Sequence, residues 1–536
     1  MLWICLLPGE AINVTKKFIV VGLSFILILS ALSFLVILYY SHRLTIDLFF
    51  NSDTLFLPSL YRDFIRGEFS FSTWHFSAAT FIFPDWILYG VSRFIAGSFY
   101  GALPVFFTLQ LSIEGFLVYM IVKEVVQEKD FAFLTSAFGI SLCAVFIWMD
   151  IFPFTIALLS VSHFGEVLSW TAATWIVLKQ VRDPSVTIKD RLPFLVGLFG
   201  VSFFTTASDK LFFVDWAVPT LCSLAILWRW RRVRNATAIS GVILAGSGAG
   251  FIAYHVYPHV FNGVGIALAP VASSSKVILA MIRDFSVEHF VVFAFLLANY
   301  IGWFWILVKG GIEKENRLYK TIQPLYISLL LLSGLTSTIG AMAFSTYRPV
   351  GDGEMRYLAV FFFAPVFIFP VLARILWLRF RKVLSVKILS VISLGFLFFF
   401  VFEFFSNKYP FYQDYYPEDV KCVDHFLGPL GARRGVGLYW EARRQTILSK
   451  EHLDIVQITP ELSPYLWIDN DRWYAGKFDF ALVRNGTGEG SAFERNLVRQ
   501  YGPPVLKKSC LGLSVEFYGR GRIGVEAIPG PNRSGS

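Results

Sequence analysis

The stretch "FIVVGLSFILILSALSFLVILYY" (Phe18 to Tyr40) decides the fold class. It is apolar from end to end and long enough to cross a bilayer core, which takes about 20 helical residues. It is too long for the apolar region of a secretion signal and lacks a small-residue cleavage site, so it reads as a retained span. Further apolar runs follow at roughly 101–122, 131–149, 153–178, 192–207, 211–228, 236–256, 289–308, 322–344, 357–378 and 386–405. Composition agrees: of 536 residues, 55% are hydrophobic and only 16% charged, against about one quarter charged in soluble domains. The reading is a polytopic α-helical membrane protein with about eleven transmembrane helices.

The net charge of +9 invites a nucleic-acid reading, but the basic residues sit between the spans rather than on a polar domain, and no nucleic-acid partner is expected. They also alternate. With the N-terminus inside, one set of loops holds Lys16 and Lys17, Lys123 and Lys129, the Lys179–Arg191 group, the Arg229–Arg234 group, the Lys309–Lys320 group and Arg379–Lys382. The opposite short loops hold only Lys210, Lys276, Arg283, Arg348 and Arg356. Cytoplasmic loops collect Lys and Arg, so the prediction is N-in and C-out in the cytoplasmic (inner) membrane. The first loop (41–100), the 257–288 loop and the tail after Phe405 then lie on the periplasmic or extracellular side.

Two domains are expected: a transmembrane domain over 1–405 with its large first outer loop, and an extracytoplasmic α/β domain over 406–536. The tail alternates short apolar runs such as "GVGLYW", "DIVQIT", "FDFALV" and "LSVEFYG" with helix-like "PEDVKCVDHFL" and "SAFERNLVRQY". It ends in "IPGPNRSGS", a disordered composition. No internal repeat is visible, so the signature of many transporters is missing. Cys143 and Cys222 fall in spans and are expected to be buried and inert. Cys422 and Cys510 share the tail, where an oxidising location permits a disulfide.

The outer face collects the chemistry. After the first span comes "NSDTLFLPSLYRDF" (Asn51 to Phe64), in which Leu57, Leu60, Tyr61, Phe64 and Ile65 repeat at helical spacing, as in a helix lying in the interface. Asp53 is either the N-cap of that helix or a reactive carboxylate, and Asp63 is read as a surface partner of Arg66. Asp150 ends the third span in "WMDIFPF". "SVSHFGEVLSW" sets His163 and Glu166 on one helix face. "TTASDKLF" holds Asp209 and Lys210, and "STYRPVGDGEMRY" holds Arg348, Asp352, Glu354 and Arg356. Ionisable groups at membrane depth are functional candidates by default. Glu114, deeper in the second span, is read as structural. Acids beside fixed cations on the outer face suit glycosyl transfer: a carboxylate takes a proton from an acceptor hydroxyl and cations stabilise a phosphate leaving group. A donor on that side must be lipid-linked, and an interfacial helix over "SSSKVILAMIRDF" (Ser273 to Phe285) suits such a lipid.

An acid soon after the first span, a large first outer loop, eleven or so spans and an outer C-terminal domain resemble the GT-C glycosyltransferases, which include protein mannosyltransferases, lipid A aminoarabinose transferases and oligosaccharyltransferases. The resemblance implies a catalytic carboxylate at Asp53 and a second acid at Asp150, both of which would hold a divalent cation if one is used. It also implies donor-phosphate contacts at Lys210, Arg348 and Arg356, with a polyprenyl-phosphate sugar as donor and membrane lipids as surroundings. Asp150, His163 and Glu166 would shape the site or orient the acceptor. Two features of the family differ here: "NSDT" supplies one acid where many members have an adjacent pair, and no WWD-type motif stands in the tail. Protein N-glycosylation is therefore not implied. The competing expectations are a transporter or flippase of lipid-linked glycans and a surface-polymer ligase or polymerase.

Overall fold

The computed structural model describes residues 9–182, 188–230, 233, 235–257, 271–312, 322–345, 352–380 and 386–525. The tail end after 525 and Arg348 lie outside the described residues. Helix α1 (Gly9–Tyr40) leads into the first loop, which holds α2 (Phe56–Arg66), the short strand β1 (Trp74–His75) and α3 (Ile87–Ala96). The helical part continues with α4 (Phe99–Val126), α5 (Lys129–Trp148), α6 (Phe164–Arg182), α7 (Ile188–Ser208), α8 (Val218–Arg229), α9 (Ala236–Val256) and α10 (Val271–Glu288). It closes with α11 (Phe290–Ile312), α12 (Ile322–Phe344), α13 (Ala359–Phe380) and α14 (Val386–Ser406).

Every sequence-predicted span falls on a helix, but among the described residues only nine helices are long and apolar enough to cross a membrane. The protein is thus multi-pass and helical. The other two are α6 and α8. The run predicted as one span over 153–178 is not helical at its start: a short 3-10 turn at Phe154–Leu158 and an irregular stretch precede α6. A π-turn at Phe213–Ala217 precedes α8. Apolarity alone does not require helix where the chain is buried in protein rather than facing lipid, and the turn at Phe154–Leu158 is buried throughout, whereas Phe213–Ala217 stays helical with a wider turn. The wider turn holds the buried Asp215.

Burial sorts the helices. The apolar windows of α5 and of the segment ending in α13 are 78% and 83% buried, whereas that of α14 is only 17% buried. The first two therefore form the centre, and α14 presents its side chains outward. Helices α7 and α9 approach closely because Gly246 and Gly250 lie four residues apart on α9. A Cβ at either would meet the Phe199 or Phe203 carbonyl oxygen at 2.8 or 2.4 Å, as small residues at helix interfaces in membranes allow. Cys143 is buried as expected, but Cys222 is exposed on α8.

The tail holds α15 (Glu418–Leu427), β2 (Arg434–Gly437), α16 (Tyr439–Leu448), β3 (Asp454–Gln457), β4 (Asp469–Asn470), β5 (Lys477–Phe478), β6 (Phe480–Arg484), α17 (Gly488–Tyr501), β7 (Leu506–Cys510), β8 (Leu513–Phe517) and β9 (Ile523–Gly524). Its central sheet runs β3-β2-β6-β8-β7. The first two pairings are parallel and the last two antiparallel. Between β2 and β3 the chain crosses over through α16, as a parallel pair requires. Cys422 on α15 and Cys510 on β7 are joined in a disulfide that closes a separation of 88 residues. Reduction, or Cys422→Ser, is expected to lower tail stability by about 2–4 kcal/mol, read as a lower melting temperature of the tail with reductant.

The tail is seated on the first loop. Strand β1 pairs antiparallel with β4, Trp74 opposite Asn470 and His75 opposite Asp469. Tyr412 N–H donates to the Tyr40 carbonyl at 2.9 Å, and Tyr415 stacks on Phe50 with centroids 4.6 Å apart. Arg444 pairs with Asp47 at 3.2 Å. First loop and tail therefore occupy one side of the helical part.

Candidate functional site

In "NSDT" it is Asn51 that closes the turn ahead of α2: its Oδ1 accepts from Thr54 N–H at 2.9 Å. The first residue before α2 is Leu55, and no side chain caps the helix there. The capping role considered for Asp53 is therefore not what its carboxylate does. Asp53 instead meets the tail, where the Tyr439 hydroxyl donates to its Oδ1. Ser52 fixes the same junction from the loop side, donating to the Tyr439 and Trp440 carbonyls at 2.7 and 3.1 Å. Burial, reinforced by the Asp53 charge, pushes the Tyr439 phenol well above its ordinary pKa, so it stays a donor. Arg356 lies close enough to sense Asp53 and Glu354, and its guanidinium donates to the Tyr357 hydroxyl at 3.4 Å.

Asp63 corrects the sequence reading. It is fully buried, not a surface partner of Arg66. Its Oδ2 accepts from Trp74 Nε1 at 3.2 Å, Trp473 Nε1 at 2.9 Å and Asn470 Nδ2 at 2.7 Å, while Arg62 Nε stands 3.8 Å from Oδ1. Burial pushes its carboxyl up, with Asn470 and Arg62 opposing. Arg66 pairs with Asp454 of the tail at 3.3 Å. On α2, Leu57 and Leu60 are packed inside but Phe64 and Ile65 are exposed, so only the end of the predicted apolar face is open.

A second group lies where α6, α7 and α8 meet. His163 directly precedes α6 in the left-handed region, φ 69°, a conformation that costs a non-glycine residue on the order of 1 kcal/mol and gathers at functional sites. Its Nδ1 lies 2.5 Å from Asp209 Oδ2 and 3.9 Å from Glu166 Oε2. Tyr357 packs edge-on against the imidazole, centroids 5.1 Å apart, which links this group to Arg356. Lys210 extends over the Tyr254 ring, 4.2 Å from its centroid, and burial lowers its ammonium pKa against the pull of Asp209. Asp150 stands apart from both groups: it is exposed and its Oδ2 accepts from Thr45 Oγ1 at 2.8 Å. Glu114 accepts from Thr171 at 2.9 Å, tying α4 to α6.

Two acids escaped the sequence reading. Asp215 lies inside an apolar run, where a lone buried acid is itself a signal; Thr338 donates to its Oδ1. Asp85, in the first loop, presses against Gly165, where a Cβ would fall 2.2 Å from Oδ2. Gly165 is thus the position that admits the carboxyl. Burial first, and Asp209 after it, push the Asp85 carboxyl up to about 8. A carboxyl whose folded-state pKa is raised contributes full stability below its unfolded value and loses it as pH rises through the folded one. Wild-type thermal stability is therefore expected to fall between about pH 4 and 8, by up to about 1.4 kcal/mol per unit. Asp85→Asn should flatten that profile in melts recorded across the range.

Two cavities lie elsewhere. One of about 320 Å³ is lined by Leu38, Arg43, Trp148, Glu403 and Tyr409, and one of about 150 Å³ by Arg62, Arg66, Phe99 and His452. No protein family, curated protein or solved structure matches the chain.

Proposed function

We propose that the chain is a membrane glycosyltransferase of GT-C type, moving a sugar from a polyprenyl-phosphate donor to an extracytoplasmic acceptor. The observation that supports it is the contact of Asp53 with a tail hydroxyl, Tyr439, where the helical part joins the tail, with the Arg356 guanidinium near enough for its charge to act on Asp53. In this reading the acceptor oxygen attacks the anomeric carbon and its proton passes to Asp53. The bond from that carbon to the phosphate oxygen breaks, and the electron pair leaves on polyprenyl phosphate. Arg356 and Lys210, with Arg348, neutralise that leaving group. Tyr439 meets Asp53 from the tail, so the tail recognises or gates the acceptor. Asp53 and Asp150 meet different partners, Tyr439 and Thr45, and metal dependence of the transfer stays a separate question. The orientation is N-in and C-out in the cytoplasmic membrane, supported by the loop charges and by a tail disulfide suited to an oxidising face.

The buried His163–acid group also suits an ion path, which favours the transporter or flippase as second reading. Proteoliposomes carrying purified protein, a labelled polyprenyl-phosphate sugar and candidate acceptors separate the two. Covalent label on an acceptor supports transfer; labelled lipid crossing the bilayer with no new glycosidic product replaces it with the transporter.

A further inference from the structure

The group around His163 has a chemistry of its own that the transfer reading does not use. Four carboxyl groups crowd there: Glu166, Asp209 and Asp215 are buried, and Asp85 adjoins them through Gly165. The neighbouring cation, Lys210, is spread over the Tyr254 ring. One ligand atom each from His163, Glu166 and Asp209 lie within 4.8 Å of one another. With metal–ligand bonds of about 2.0–2.2 Å two ligand atoms stand at most about 4.4 Å apart, so a small inward shift of the side chains closes the set on one ion, and one imidazole with carboxylates is a usual zinc-type donor mixture.

A second observation points the same way. Glu166 Oε1 and Asp215 Oδ2 are buried and receive no hydrogen bond, although the two carboxyl groups lie within hydrogen-bonding reach of each other. Two carboxyl groups facing one another in a dry interior repel unless they share a proton or a cation sits beside them. The strained backbone of His163 brings its imidazole into the same place.

We propose that His163, Glu166 and Asp209 bind one divalent transition-metal ion of the Zn²⁺ or Mn²⁺ class, with Asp215 steadying Glu166. The ion ties the start of α6 to the turn between α7 and α8. Through the ring contact of His163 with Tyr357, it fixes the segment that carries Arg356. The inference does not rest on the transferase reading, because its test is binding rather than turnover.

Full-length protein in detergent is stripped with chelator, titrated with ZnCl₂ or MnCl₂, passed through gel filtration and assayed for metal by mass spectrometry. About one equivalent per chain and a raised melting temperature are expected for the wild type. Asp209→Asn and His163→Gln, eluting as the wild type does, should each lose most of it. No retained metal in folded wild type, or a full equivalent in both variants, overturns the site. Should the variants not fold, Cu²⁺-loaded wild type gives the answer alone. Electron spin resonance should show coupling to a single imidazole nitrogen, and coupling to none or to several overturns the assignment. In that event the facing carboxyls share a proton.

Discussion

Asp53→Asn is expected to lower sugar transfer by about two to four orders of magnitude, the usual range for loss of a positioned general base. The substitution preserves shape and leaves an oxygen to accept from Tyr439, so the tail stays docked and the donor still meets Arg356. What disappears is the ability to take a proton. The loss should therefore appear in kcat, with KM for the lipid donor changed far less. Tyr439→Phe provides the contrast: it removes a donor from Asp53 without removing the base, and should change the rate much less. Initial rates in proteoliposomes, with melting curves as a folding control, measure both. Full activity in Asp53→Asn would discard Asp53 as the base.

Asp63→Ala is expected to cost about 3–5 kcal/mol in docking of the tail on the first loop. One carboxylate oxygen accepts from two indoles and an amide across that junction. Truncation leaves both indoles without that acceptor, and Arg62 and Asn470 with their contacts to Asp454 and the Glu68 carbonyl. Breaking a buried charged network by removing one member carries about this penalty. Asp63→Asn should be milder, since one oxygen remains. Limited proteolysis reads the effect: the Ala variant should release the tail near 407–417 at protease levels that leave the wild type whole, while its helical part survives. Equal resistance in both would show that the strand pairing alone holds the tail.

The apolar spans could be read from the chain because crossing lipid demands about 20 apolar residues in a helix whatever the partners are. The same rule misreads 153–178 where it starts, because protein-buried backbone escapes it. In the tail, the central strands announce themselves by apolar runs, but β7, "LKKSC", does not. It is a largely exposed edge strand, and edges carry lysine for good reason. The site was legible only in part. A helical pattern says that Arg62, Asp63 and Arg66 share one side of α2, but what covers that side comes from residues 469–473. Tyr439 likewise reaches Asp53 from a distant part of the chain. The charges of "SVSHFGEVLSW" and "TTASDKLF" were visible separately, and only packing of α6 against α7 puts His163 on Asp209.

The pairing of β1 with β4 has a meaning in time. Its two halves, at His75 and Asp469, are separated by about 400 residues, and ribosomes add about 5–20 residues per second. The first loop therefore waits some 20–80 seconds, through insertion of nearly all the helices, before its partner strand exists. Until then Asp63 has no Asn470 or Trp473, and Asp53 has no Tyr439. A chain that stops between Asp53 and Tyr439 carries the acid but not the hydroxyl that meets it. The proposed site is therefore assembled late, after the helices that flank it are already in place.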